Sequence, residues 1–392
     1  MASTDKDDAA PAADVEEYPN FELAQWKAKY LRDRDPQALE KIIAQVKKDR
    51  MVSFYVEFCA EANVTRDEKL VKEMEKEKDE KLTTFAATLK DAEENLGDVE
   101  VKNALLAKAE FLNKIGDMTA ALEAYSKAFE KTVGIGGRMD NILSSLRIAL
   151  FFSDVDKIKE YLAKGKEELK KGGDWERKNK LKVYEGVFKI MSRDFEAAAK
   201  LFLEGVATFT AVELVSFKDF VFYAVLSSMV GLQRADLKKK VIESPEILSV
   251  VHERAHVREF LFAYYECDYH KWTREFVHVI DHLKEDRYFQ PHLMQICRQL
   301  RLNAFRQFIT SYKSVTIKLM ADTFGVTPDF VDREIYGFIS QGRLNCKIDK
   351  VANVIETVDD AKNEKTLMYK DILNQGDDLL NKMQKLSAAI DR

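Results

Sequence analysis

Ser314–Val358 reads SVTIKLMADTFGVTPDFVDREIYGFISQGRLNCKIDKVANVIETV, and the changes of period inside it decide the fold. From Val315 to Phe324 apolar residues recur at helical spacing. Gly325 then offers a left-handed cap, which costs glycine almost nothing. Thr327-Pro328 restarts the chain: the threonine can accept from a free N–H, and proline suits the first helical position. The second helix puts Val331, Ile335, Phe338 and Ile339 on one face and Asp329, Asp332, Arg333 and Glu334 largely elsewhere. After Gly342 the period falls to two. Arg343-Leu344-Asn345-Cys346-Lys347-Ile348 alternates polar and apolar, the pattern of a half-buried strand, and Asn353–Val358 reads as its returning partner. Helix, turn, helix and hairpin make a winged helix.

The wording Met320-Ala321-Asp322-Thr323-Phe324-Gly325-Val326, Val331-Asp332-Arg333-Glu334-Ile335 and Ile339-Ser340-Gln341-Gly342-Arg343-Leu344 resembles the winged-helix end of a PCI domain. That module is shared by subunits of the proteasome lid, the signalosome and a translation initiation factor. The resemblance implies a helical-repeat arm leading into the wing.

Upstream of the wing such a repeat is visible. Gly116-Asp117, followed by Ala121, Tyr125 and Ala128, has the spacing of a tetratricopeptide-like helix pair. The frame returns at Ser153-Asp154, Arg193-Asp194, Gly231 and Cys267-Asp268, in steps of 37, 40, 38 and 36 residues. Units of this kind bury their apolar faces against neighbours, so a curved solenoid is expected. Thr65-Arg66-Asp67-Glu68 has capping-box spacing and introduces a long charged helix, with Leu82, Phe85, Leu89, Ala92 and Leu96 on its apolar side. Its Lys/Glu run reads as a solvated face.

The resulting fold class is mostly α. Residues 1–20 form an acidic tail expected to be disordered, 21–100 N-terminal helices, 101–312 the repeat arm, 313–358 the wing and 359–392 a long C-terminal helix. On that last helix Ile372, Leu379, Met383, Leu386 and Ile390 are spaced like a narrow coiled-coil seam, interrupted by Gly376.

Composition narrows the function. Charged residues make up 33% and the net charge is −5, without the basic excess of a general nucleic-acid binder. No run is apolar enough for a membrane span, and no apolar signal core opens the chain. Cys59, Cys267, Cys297 and Cys346 are widely spaced, with no CxxC pair, and read as reduced thiols of a cytoplasmic or nuclear protein.

Several stretches invite chemistry. His252-Glu253-Arg254-Ala255-His256 is a literal H-E-x-x-H, the zinc-hydrolase motif in which two histidines one turn apart bind metal and the glutamate acts as base. The metzincin continuation fails at Glu259 and Phe262, whereas Glu275, nineteen residues past His256, could serve as a third ligand. Neighbouring Val257, Phe260, Leu261, Tyr264 and Tyr265 favour two surface histidines beside a packed face. His278 and His282 form a second pair, read the same way. Gly134-Ile135-Gly136-Gly137 lacks a Walker ending and reads as a loop between repeats, and Lys238-Lys239-Lys240 reads as a solvated cluster. No H-x-H pair of a JAMM-type deubiquitylase occurs. The acidic start of the second wing helix would repel phosphates.

Phe21–Trp26 and Lys131–Gly134 carry the resemblance along the chain and narrow it to the PCI subunits of the proteasome lid. A signalosome or initiation-factor subunit, a zinc hydrolase at residues 252–256 and an RNA reader are the alternatives. The resemblance implies a non-catalytic scaffold without cofactor, partnered by other PCI lid subunits and the lid deubiquitylase subunits in a large hetero-oligomer; the charge balance argues against nucleic acid, and the lack of a long apolar run against a membrane. It also implies a sheet-edge interface, here Arg343, Leu344, Asn345, Cys346, Lys347, Ile348, Val354 and Ile355. A helix-bundle interface would fall at Ile372, Leu379, Met383, Leu386 and Ile390.

Overall fold

The computed structural model describes residues 18–95, 97–172, 174–357 and 360–390. Most of the acidic tail, together with Leu96 and Val358, lies outside them. Among the described residues the protein is helical apart from three short strands, and none of its helices is long and apolar enough to cross a membrane. It divides into two compact units. One runs to Ala255 and takes in Ile280–Met294; the other is built from His256–Val279 and the chain from Gln295 onward. The sequence boundary at 312 is therefore not the compact one.

In the first unit three short helices, Phe21–Asp33, Pro36–Asp49 and Val52–Ala62, share a core of Leu23, Ile42, Val46, Phe54 and Phe58, to which Ile115 and Phe151 contribute. The charged helix Glu68–Asn95 follows as expected, with Met74 and Ala92 buried. Its cap is not Thr65. Asp67 accepts from the N–H groups of Lys69 and Leu70 at 3.2 and 3.4 Å, two residues nearer the first helical residue.

The repeat has a local cause. Asp98–Ile115 packs on Met118–Lys131, Ile135–Phe152 on Val155–Lys170, and Trp175–Met191 on Phe195–Gly205. Each pair is joined by a residue in the left-handed region and then an aspartate. Gly116, Ser153 and Arg193 have φ of 81°, 59° and 64°. Asp117 accepts from Ala120 N–H, Asp154 from Asp156 and Lys157, and Asp194 from Ala197. One residue ends a helix and the next starts another, so the chain reverses in almost no length. The Gly231 step is different. Gly231 ends the helix Phe217–Gly231, and a Cβ there would lie 2.7 Å from Glu196 Cα. The glycine permits two helices to touch and makes no turn. Arg234–Leu237 then runs into a π-helical turn, Lys238–Ile242, on which the three lysines are exposed. The Gly134–Gly137 run is also corrected: Gly134 caps the helix Ile135–Phe152, and the other two glycines lie in its first turn.

The second unit repeats the turn once, with Cys267 at φ 66° and Asp268 accepting from Lys271 N–H at 3.2 Å. This joins Ala255–Glu266 to Tyr269–Glu285, and Phe260, Trp272 and Phe276 stack between them, their centroids 5.0–5.6 Å apart. The helix Leu293–Thr310 brings Phe305 and Phe308 against Phe324, which also stacks on Tyr269 at 4.5 Å. Aromatic packing thus ties the last repeat to the wing, which is why the compact unit begins well before residue 312.

The wing itself is β1 (Ser314–Thr316), the helices Ile317–Phe324 and Pro328–Ser340, then β2 (Cys346–Asp349) and β3 (Val354–Thr357). Its core is Ile317, Met320, Phe324, Val331, Ile335 and Phe338, closed by Val315, Leu344, Cys346 and Ile355. Gly325 has the expected left-handed cap, φ 65°, and leaves room for the His270 ring, 2.7 Å from where a Cβ would stand. Three details differ from the sequence reading. Ser314–Thr316 is a strand and not the start of the helix. Thr316, whose hydroxyl accepts from Leu319 N–H, is the side-chain cap, while Thr327 caps through its carbonyl alone. Lastly, β2 begins only at Cys346.

Candidate functional site

The functional surfaces named by the sequence are the edges of the wing sheet and the last helix. The sheet order is β1-β3-β2, antiparallel throughout. Ser314–Thr316 pairs with Glu356–Val354, and Cys346–Asp349 pairs with Thr357–Val354. The returning strand is therefore central. Its backbone is bonded on both sides, so the edge position expected for Val354 and Ile355 is corrected: they cannot offer an edge, and Ile355 is 1% exposed. The free edges belong to β1 and β2. Along 343–348 the alternation is real. Arg343, Asn345 and Lys347 are exposed, Leu344 and Cys346 are buried, and Ile348 is half-buried. Only the first set faces outward. Burial pushes the Cys346 thiol up to about 11. Sequence reasoning missed β1 because Val315-Thr316-Ile317 suits a strand as well as a helix. The two β-branched residues before Ile317 were the available signal.

The last helix, Asp360–Ile390, is continuous through Gly376, where an interruption was expected. Ile372, Leu379, Met383 and Leu386 are all exposed, the Ile390 side chain lies outside those described, and Met368, Tyr369, Leu373 and Leu380, which the seam reading left out, are exposed too. All eight are between 59% and 68% exposed. At 3.6 residues per turn they cover an arc of about 140°. The narrow seam thus widens to a broad apolar band, as on a helix that docks into several neighbours. A helical-wheel projection of 368–386 would have found it.

The H-E-x-x-H segment does not form the motif's geometry. A helix ends at Val251, His252 is its C-cap, and the next begins at Ala255. Glu253 pairs with Lys218 at 2.6 Å and Arg254 with Asp219 at 2.6 Å, both from the turn between the two helices. His252 and His256 therefore do not stand one turn apart on a common helix. Glu275, named as a third ligand, does reach His256, with Oε2 2.8 Å from Nδ1.

On the second wing helix Glu334 pairs with Arg301 at 3.1 Å and Asp332 with Lys350. What remains outward includes Asp329, Arg333 and the ring of Tyr336, with Phe330 partly exposed.

Comparison with known proteins agrees with this architecture. The family model described as 26S proteasome subunit RPN7 matches residues 67–240, and the PCI domain model matches 277–359. The chain is 43% identical to the 26S proteasome non-ATPase regulatory subunit 6 of Oryza sativa subsp. japonica over 89% of its own length and 90% of that protein. It is 39% identical to the subunit of the same name from Dictyostelium discoideum, over 90% and 92% of the two chains. With the 26S proteasome regulatory subunit rpn7 of Schizosaccharomyces pombe the identity is 33%, over 95% and 94%. These relatives favour neither the signalosome nor the initiation-factor alternative. With its repeat arm, its PCI wing and matches that span nine-tenths of both chains, the protein belongs to the Rpn7 family, that of 26S proteasome non-ATPase regulatory subunit 6.

Proposed function

We propose that this chain is a non-catalytic scaffold subunit of the proteasome regulatory particle, in the cytoplasm and nucleus. It would hold PCI-domain and deubiquitylase neighbours of the lid through the β1 and β2 edges and the terminal helix. The observation that carries this reading is the exposed apolar band on Asp360–Ile390. A large apolar side chain contributes roughly 1.5–3 kcal/mol on full burial, so eight that start near 60% exposed would return on the order of 10 kcal/mol. Association costs about 4–15 kcal/mol. The band alone is thus marginal, and a sheet edge engaged at the same time would raise its effective concentration. Removal of residues 362–392 should leave a folded helical protein that no longer enters the complex when co-expressed with lid subunits. Normal co-purification of the truncated chain would overturn the proposal.

A further inference from the structure

Among the described residues, the donor atoms of His256, Glu275 and His278 converge to within 4.8 Å of one another. We propose that these three side chains form a binding site for a divalent transition metal of the zinc class, with one coordination position open.

Each ligand is placed by the fold. Glu275 and His278 stand three residues apart on the helix Tyr269–Glu285, so both project from one face. His256 comes from the first turn of the antiparallel neighbour, Ala255–Glu266. The register between the two helices is set by the stack of Phe260 on Trp272 and Phe276, one turn from His256 and next to Glu275. The imidazoles of His256 and His278 lie 4.4 Å apart, tilted by 32°. Glu275 is buried, and among the described residues its charge partner is His256. Two exposed imidazoles thus close over a carboxylate held at the helix interface.

The chemistry of this set selects the ion. Two nitrogens and one carboxylate oxygen suit zinc and its neighbours in the series, and exclude a preference for calcium or magnesium, which take oxygen. Zinc bonds of about 2.0–2.1 Å in tetrahedral geometry require donors about 3.3 Å apart. The 2.8 Å between His256 Nδ1 and Glu275 Oε2 would open slightly, and the exposed His278 ring would swing inward. Without metal, the same pair is satisfied by a ring N–H donated to the carboxylate. Because His252 contributes nothing, the site differs from the H-E-x-x-H reading and carries no general base from Glu253. A fourth ligand could come from water or from a docked neighbour.

The test uses the purified full-length chain, freed of metal with a chelator and titrated with Co²⁺ and then Zn²⁺. One equivalent of Co²⁺ should produce visible tetrahedral absorption that Zn²⁺ bleaches. His256→Ala and His278→Ala should each weaken binding by more than the roughly 10–100-fold that loss of a supporting hydrogen bond costs in metal sites. His252→Ala and His282→Ala should leave it unchanged. Both ligand histidines are exposed, so unaltered circular dichroism is expected of all four variants. Absence of stoichiometric uptake overturns the proposal, as does uptake that depends on His252 or His282 and not on His256 and His278.

Discussion

Gly231 and Glu196 mark a close backbone-to-backbone approach of two helices in the repeat arm. A methyl group on Gly231 would stand 2.7 Å from Glu196 Cα and 2.8 Å from its backbone nitrogen. Backbone cannot give way as a flexible side chain can. Gly231→Ala should therefore cost about 1–3 kcal/mol through overpacking, read as a lowered urea midpoint. Gly376 meets nothing within 4 Å, and Gly376→Ala should raise the helicity of the isolated chain, stabilising that helix by roughly 0.5–1 kcal/mol.

The aspartate that opens each repeat's second helix should be felt singly and through pH. Asp194→Ala should cost about 1 kcal/mol for the lost cap. The Lys189 ammonium at 2.9 Å, helped by the Ala197 N–H, holds the Asp194 carboxyl below its ordinary 3.8. Its folded-state value is thus below its unfolded one. The stabilisation is present above pH 3.8 and is lost as pH falls through the folded value. Asp194→Asn keeps a cap but not the charge, so its acid-unfolding curve should be shallower than that of the parent chain.

Arg287 donates to the carbonyls of Leu150 and Phe151 and to the Ser153 hydroxyl, at the end of the helix Ile135–Phe152. The Leu150 carbonyl also accepts from the Ser153 N–H at 3.2 Å, and carbonyls of a last helical turn have few other donors in reach. Arg287→Met should cost roughly 1.5–3 kcal/mol, as for a lost charged hydrogen bond. The loss would appear as faster amide exchange at the end of that helix.

Cys346 is a timer for opening of the wing. Its thiol is buried and pushed up to about 11, so almost none is thiolate at pH 8. Labelling by a maleimide, followed by peptide mass spectrometry, should be slow at this site in the folded chain and rapid in urea.

Leu386 is exposed on the terminal helix. Leu386→Glu should weaken incorporation into the lid while leaving the melting temperature of the isolated chain unchanged. A large fall in melting temperature would instead show that the residue packs within the chain.

Local rules carried most of the architecture because each repeat turn is self-contained. Ser153-Asp154 and Arg193-Asp194 need only a left-handed residue and a cap, both written in adjacent letters. The Gly231 step was legible as a position and not as a cause, since the reason lies in Glu196, 35 residues earlier. Similarly, the pairing of β1 with β3 joins residues some forty positions apart, and nothing in Val315-Thr316 names that partner. The turn at His252–Arg254 has its ion-pair partners in Lys218 and Asp219, again remote in the chain. On the last helix the period was legible. The width of the apolar band was not, because a seam template stops counting at two positions in seven.

The terminal helix is the next element in the chain after β3, the strand flanked on both sides. Tension applied to that helix would reach the sheet through its central strand. The bonds to both neighbours would then resist together in shear, where an outer strand could be peeled away one rung at a time. A pull on the tail would thereby load the strand with a ladder on each side.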